Sequence, residues 1–283
     1  MPVSTSVHLS YCLNHIIQLN PQSVLDVGCG FGTWGFLCRT YLDAFNERVY
    51  PKDWRVRIDG IEYFAPYILD HQRALYDSIQ IGDIRDLMHD VAPHELVICG
   101  DLIEHLDKED GQRVLDVLYA KATRALMLNI PIGPGWDHPE VHGNPAELHR
   151  SQWEPEDFLR FPGVVEMFEF TRAGRYACLF APKDVAPAHR CQALADYAKY
   201  LDEEGDVARA IRYLREAAAI DPAYPDSALL LADLLLRGGD VEGGMKVLAA
   251  AVDANPEFLF AGLMLARLEA MRQHTEAALY LVD

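Results

Sequence analysis

Val24-Leu25-Asp26-Val27-Gly28-Cys29-Gly30-Phe31-Gly32-Thr33-Trp34-Gly35 decides the fold of the first two-thirds of this chain. A short apolar run, Ser23–Val27, meets glycines at alternate positions, and a helical stretch follows to about Phe45. Glycine permits φ > 0 and lets a ligand approach the backbone closely. A strand that enters such a turn and leaves as a helix belongs at the carboxyl edge of an open sheet, where nucleotide-like ligands bind. Working outward, Val56–Ile61, Ser78–Ile81, Glu95–Cys99 and Ala125–Ile130 are further strand candidates. Asp110–Ala122 is helix-like, and Val164–Phe170 with Tyr176–Ala181 are close enough to be antiparallel neighbours. The alternation predicts an α/β, Rossmann-like, doubly wound seven-stranded sheet with its last strand antiparallel. A helix over about Val7 to Leu19 precedes it, and Tyr11 and His15 make it either a lid on the site or a plain docking helix.

Composition narrows the function classes. The chain has 283 residues, half of them hydrophobic, with 25 Lys+Arg against 43 Asp+Glu and a formal net charge of -18. Disorder is excluded by that composition. A chain so acidic, without a Lys/Arg run, repels phosphate backbones and anionic membrane surfaces, which argues against nucleic acid and membrane partners. Six scattered cysteines form no CxxC pair. With no signal-peptide pattern and no long apolar run, the expectation is a reducing, cytoplasmic setting.

The pattern changes near Pro182–Pro187, giving expected domains at 1–185 and 190–283. In the second, Ala198, Ala232 and Ala266 lie 34 residues apart. The same spacing relates Ala210, Gly244 and Ala278, and also pairs Gly205 with Gly239, Asp206 with Asp240, Ala217 with Ala251 and Pro222 with Pro256. Small residues let paired helices approach, and glycine turns the chain between them. The pattern resembles tetratricopeptide (TPR) repeats, although Leu194, Ala228 and Gly262 stand where that family has a large aromatic. An all-α TPR-like domain is therefore expected, its third repeat ending at Asp283 with its second helix. Solenoid ends need a polar cap, so a homodimer or a protein partner could meet the apolar end.

Acidic residues follow the glycine turn at the next strand ends: Glu62 in Asp59-Gly60-Ile61-Glu62 and Asp83 in Gly82-Asp83-Ile84. The first could accept both hydroxyls of a ribose and the second an adenine amino group. Either could instead cap a helix. With these residues in order, residues 20–182 resemble a class I S-adenosylmethionine (SAM)-dependent methyltransferase. The resemblance implies SAM as cofactor, held by Asp26, Gly28, Cys29, Gly30, Glu62, Asp83, Ile84 and Asp101.

Asp101-Leu102-Ile103-Glu104-His105-Leu106 follows the fourth strand, beside the expected methyl group. If helical, Asp101, Glu104 and His105 share one face. Two carboxylates and an imidazole suit Mg²⁺ or Mn²⁺; the alternative is a pocket wall without metal. The polar, His-rich segment 138–158 follows the fifth strand and is expected to carry substrate contacts. Its His149-x-x-x-Trp153 pattern is similar to the segment supplying the last histidine ligand in small-RNA 3′-terminal 2′-O-methyltransferases, and also to bacterial methyltransferases of surface sugars and natural products. The resemblance implies Asp101, Glu104, His105 and His149 as a metal set. Without metal, His105 or His149 is the candidate catalytic base, because only histidine titrates near neutrality unperturbed. Tyr63, His142, Asn144, Arg150 and Trp153 are the candidate acceptor contacts. The expected activity is O-methylation of a small molecule, sugar or peptide. A protein methyltransferase with a recruiting tail, a non-catalytic scaffold and RNA 2′-O-methylation are the alternatives.

Overall fold

The computed structural model describes residues 5–134, 136, 143–171 and 174–279. The chain divides into two compact units, Met1–Asp184 and Val185–Asp283. In the first, seven strands form one sheet: β1 (Ser23–Val27), β2 (Arg57–Glu62), β3 (Ser78–Ile81), β4 (His94–Gly100), β5 (Ala122–Ile132), β6 (Val164–Thr171) and β7 (Gly174–Pro182). Their order is β3-β2-β1-β4-β5-β7-β6. Strands β1 to β5 pair in parallel, and β7 runs antiparallel between β5 and β6. This is a Rossmann-like sheet. Strand order reverses between β1 and β4, and such a switch point opens a crevice at the carboxyl ends.

Both faces of the sheet are covered, which explains why its central strands are almost continuously apolar. Leu25, Val27, Val97, Cys99, Leu126 and Leu128 point to one side, where α5 (Lys108–Lys121) buries Val114, Leu115 and Leu118. Val24, Ile58, Leu96, Ile98 and Met127 point to the other, against α2 (Thr33–Cys38) and α1 (Leu9–Leu19). Through α1, Cys12 Sγ donates to Asn129 Oδ1 at 3.1 Å and lies 3.2 Å from Cys178 Sγ. Tyr11 meets Phe168 edge-on and His15 stacks on Phe180, so these two residues dock α1 on β6 and β7 rather than cover the crevice.

The second unit is five helices: α6 (Pro187–Glu203), α7 (Val207–Ile220), α8 (Pro225–Arg237), α9 (Val241–Ala254) and α10 (Leu259–Leu279). Ala198, Ala210, Ala217, Ala232, Gly244 and Ala251 are buried, as the repeat predicted. Gly205 and Gly239 take φ of 84° and 83° at the turns. Asp206 and Asp240 then cap α7 and α9 by accepting from the N–H groups of Arg209 and Gly243. The third repeat departs from expectation. Gln273-His274 stands where the first two repeats have Gly-Asp, so no residue favours the left-handed turn and α10 continues as one helix. Among the described residues, no helix is long and apolar enough to cross a membrane.

Candidate functional site

A cavity of about 260 Å³ lies at the carboxyl ends of β1, β2, β3 and β4. Gly28, Cys29 and Gly30 form its floor, with Thr33 and Trp34 from the start of α2. Gly28 and Gly30 have positive φ, and a Cβ on Gly28 would stand 2.9 Å from Leu102 Cδ1. The turn is thus shaped for both conformation and close approach.

Glu62 closes one side. Its Oε2 accepts the Gly30 N–H at 2.9 Å and its Oε1 the Phe64 N–H at 2.9 Å. Burial raises its pKa despite those bonds, and the charge of Glu147 adds to the rise. Asp83 and Ile84 close the next side. Asp83 Oδ1 caps α4 (Ile84–Leu87) through the Arg85 N–H at 2.9 Å, and the Arg85 guanidinium holds both carboxylate oxygens. The capping alternative therefore holds for Asp83, yet its carboxylate remains on the cavity wall.

Asp26 is a correction. It is fully buried beneath the turn and does not line the cavity. Its Oδ2 accepts the Tyr76 hydroxyl at 2.6 Å, and Tyr76 Oη accepts the Gly35 N–H at 3.1 Å. The pair ties β1 to the start of α2 from below. Burial pushes the Asp26 carboxyl up to about 7, against the Tyr76 hydrogen bond.

The segment after β4 is also not the helix expected. Asp101 has φ of 46°, and only Ile103–His105 forms a single 3-10 turn. The left-handed residue, a conformation that Asp tolerates better than most, breaks the common face. Asp101 lines the cavity and its Oδ1 accepts the Tyr176 hydroxyl at 2.6 Å. Among the described residues it falls outside the cluster of metal-type donors Glu104, His105 and His149, whose ligand atoms lie within 4.8 Å of one another.

Backbone zippering brings His149 to His105. The N–H groups of Arg150 and Ser151 both donate to the Glu104 carbonyl, at 2.8 and 3.1 Å, and Gly133 N–H donates to the Trp153 carbonyl at 3.0 Å. The two imidazoles then meet edge-on, with centroids 4.8 Å apart. Glu104 is buried, and its Oε2 has no hydrogen-bond partner among the described residues. Burial first, then the neighbouring Asp101 charge, drives its pKa well above the ordinary carboxyl value. A buried carboxyl oxygen without a partner calls for a proton or a cation.

A second cavity, of about 120 Å³, lies behind this cluster and is lined by Glu104, His149, Arg150, Pro131, Trp136 and Gln152, among others. Of the acceptor contacts expected, Tyr63, Asn144 and Arg150 line the first cavity, and Arg150 lines both. Asn144 Oδ1 also caps the next turn through the Ala146 N–H. His142 lies outside the described residues. Trp153 is a further correction: it is 1% exposed and part of the core. It stacks on Phe158, lies under Lys108 Nζ and fills the space left by Gly111 of α5.

Sequence reasoning missed two tyrosines and one acid. Tyr76 and Tyr176 brace Asp26 and Asp101. Tyr67 donates to Glu147 Oε1 at 2.8 Å, and both residues line the first cavity. His8 also went unnoticed. It is buried, stacks on Tyr176 at 4.6 Å, and neither ring nitrogen has a hydrogen-bond partner among the described residues.

Comparison with known proteins places this geometry in context. Residues 203–268 match the tetratricopeptide repeat family. The tail is a TPR-like helical repeat. Comparison with curated protein sequences finds no match. Among solved structures, the chain is similar to magnesium protoporphyrin IX methyltransferase from Synechocystis PCC 6803 with bound SAH, at 15% identity and a TM-score of 0.45, over 62% of this chain and 82% of that one. It is also similar to a SAM-dependent methyltransferase from Archaeoglobus fulgidus, at 15% identity and a TM-score of 0.44, over 62% and 93%. An O-methyltransferase family protein from Burkholderia thailandensis matches at 15% identity and 0.40, over 64% and 57%.

Proposed function

We propose that the first unit binds SAM and methylates an oxygen of a small-molecule, sugar or peptide acceptor. The observation that carries this reading is the cavity itself. A glycine turn, Glu62 and Asp83 converge at the carboxyl ends of consecutive strands, with His105 of the acid and imidazole cluster on the same cavity's wall. Gly28, Cys29 and Gly30 would face the amino-acid part of the cofactor, Glu62 its ribose, and Asp83 with Ile84 its adenine. SAM, when bound, supplies the electrophilic methyl group. The chain's residues align the acceptor for in-line attack, and alignment alone removes a large part of such a barrier. His105 or His149 takes the hydroxyl proton.

Glu104, His105 and His149 also fit a divalent cation, since one carboxylate and two imidazoles are an O/N donor set and Glu104 Oε2 lacks a partner. Held there, such an ion would acidify a coordinated hydroxyl. Asp101 stands outside that set. The TPR-like tail favours one further reading, in which a protein or peptide partner is recruited by the repeats.

Calorimetric titration of the full chain tests this. S-adenosylhomocysteine should bind at micromolar Kd with EDTA present, and Mn²⁺ alone should give an isotherm that His149→Ala abolishes. Failure of S-adenosylhomocysteine to bind would overturn the methyltransferase reading in favour of a scaffold.

A further inference from the structure

Cys12 and Cys178 line neither cavity, yet their thiols meet inside the first unit. Both residues are fully buried, and their sulfurs lie 3.2 Å apart across 166 positions of sequence. That is closer than non-bonded heavy atoms ordinarily pack. All six cysteines are free and buried, and among the described residues no other two sulfurs are in hydrogen-bond contact.

The two sulfurs come from elements that are joined differently. Cys178 lies within β7, opposite Asn129 of β5, and Asn129 Oδ1 accepts the Cys12 thiol at 3.1 Å. The sulfur carried by α1 is thus pinned over that strand pair. A disulfide needs its sulfurs at about 2.05 Å, roughly 1 Å closer than these stand. The side chains of Tyr11, Cys12, His15 and Ile16 pack α1 on the sheet. Among the described residues, no backbone hydrogen bond ties that helix to a strand. A helix docked by side chains alone can shift by that distance, and its local opening admits a small reagent.

We propose that Cys12 and Cys178 form a modification site, at which hydrogen peroxide oxidises the two thiols to a disulfide that locks α1 onto β7. Burial, then the neighbouring Cys12, pushes the Cys178 thiol up, so Cys178 stays protonated and Cys12, on the element that opens, reacts first. The Cys12 sulfur loses its proton and attacks one peroxide oxygen. The O–O bond breaks, the second oxygen leaves with that proton as water, and a sulfenic acid remains. The Cys178 sulfur then attacks the Cys12 sulfur, the S–O bond breaks, and the hydroxyl leaves with the Cys178 proton as a second water. Each sulfur gives up one electron, and the peroxide takes both. The lock reaches the first cavity. His8, at the start of α1, stacks on Tyr176 and has its ring centroid 5.8 Å from that of Trp34. Tyr176 holds Asp101, and Asp101 and Trp34 line the cavity. Fixing α1 therefore fixes the support behind that wall.

The test treats the full chain with a small excess of hydrogen peroxide, unfolds it, and counts thiols by maleimide labelling and mass. Four of the six thiols should remain, with the Cys12 and Cys178 peptides joined, and dithiothreitol should restore all six. The bridge closes a separation of 166 residues. The oxidised first unit should therefore unfold about 10 °C higher by tryptophan fluorescence. Cys12→Ala and Cys178→Ala should each keep all five of their thiols under the same treatment. Six thiols in the treated wild type, an equal loss of thiols in either variant, or a disulfide that leaves the unfolding temperature unchanged overturns the proposal. Should an alanine variant fail to fold, the identity of the joined peptides in the wild type decides alone.

Discussion

Replacing Tyr76 by phenylalanine isolates the hidden brace under the glycine turn. The hydroxyl donates to Asp26 at 2.6 Å and accepts from the Gly35 N–H at 3.1 Å. Asp26 Oδ1 already lacks a partner among the described residues, so the variant leaves a fully buried carboxyl without that bond. A hydrogen bond to a charged group contributes about 1.5–3 kcal/mol, and one to a neutral group about 1. Which value applies depends on pH. Asp26 is raised to about 7 in the folded chain from an ordinary 3.8. Its folded form holds a proton that the unfolded chain gives up, so its contribution is full at low pH and is lost as pH rises through about 7. Tyr76→Phe raises the folded value further and deepens that loss. The expected destabilisation is about 1 kcal/mol at pH 5 and about 1.5–3 kcal/mol at pH 8. Urea unfolding followed by tryptophan fluorescence measures it, and Trp34, Trp54, Trp136 and Trp153 all lie in the first unit, so that unit alone is reported. An equal loss at both pH values would refute the assignment of a titrating Asp26 held by Tyr76.

Two other substitutions probe features outside the cavity. Burial holds His8 down to about 4 from 6.5, so its contribution is present above about 6.5 and is lost as pH falls toward 4. His8→Phe should therefore gain about 2 kcal/mol relative to the wild type on going from pH 7.5 to pH 5, in the same fluorescence assay; a pH-independent difference would contradict the buried neutral imidazole. In the tail, Gly239 has φ of 83° and open space where a Cβ would go. Gly239→Ala should cost about 1 kcal/mol of backbone strain and no more, measured by helix-signal unfolding; a loss above about 3 kcal/mol would show that the turn packs against something.

What could be seen from sequence was local. The glycine turn, Glu62 and Asp83 were legible because each sits within a few residues of its strand end. The tail was legible because a 34-residue period repeats its small residues and its Gly-Asp turns. The third repeat was misjudged where that signal stopped, at Gln273-His274. Asp101 was placed on a helix because spacing cannot reveal a left-handed backbone angle. Trp153 was taken for a ligand contact because its neighbours are polar; the one signal to the contrary was Gly111, a lone glycine in a helix that leaves room for an indole. Tyr76 and Tyr176 gave no sequence signal, since each braces an acid from a distant part of the chain. The meeting of His105 and His149 came from resemblance, and its physical cause is the backbone bonding of Arg150 and Ser151 to Glu104.

That same backbone joint makes one thin partition out of the far wall. His105 faces the first cavity, Glu104 and His149 face the second, and Arg150 borders both. A change on one side of such a wall is felt on the other, so altering Glu104 or His149 in the second cavity would also disturb the first. Trp136 reaches the first cavity too, through Tyr176 and its hydrogen bond to Asp101, so a change there is also felt in both chambers, whereas Gln152 borders the second alone.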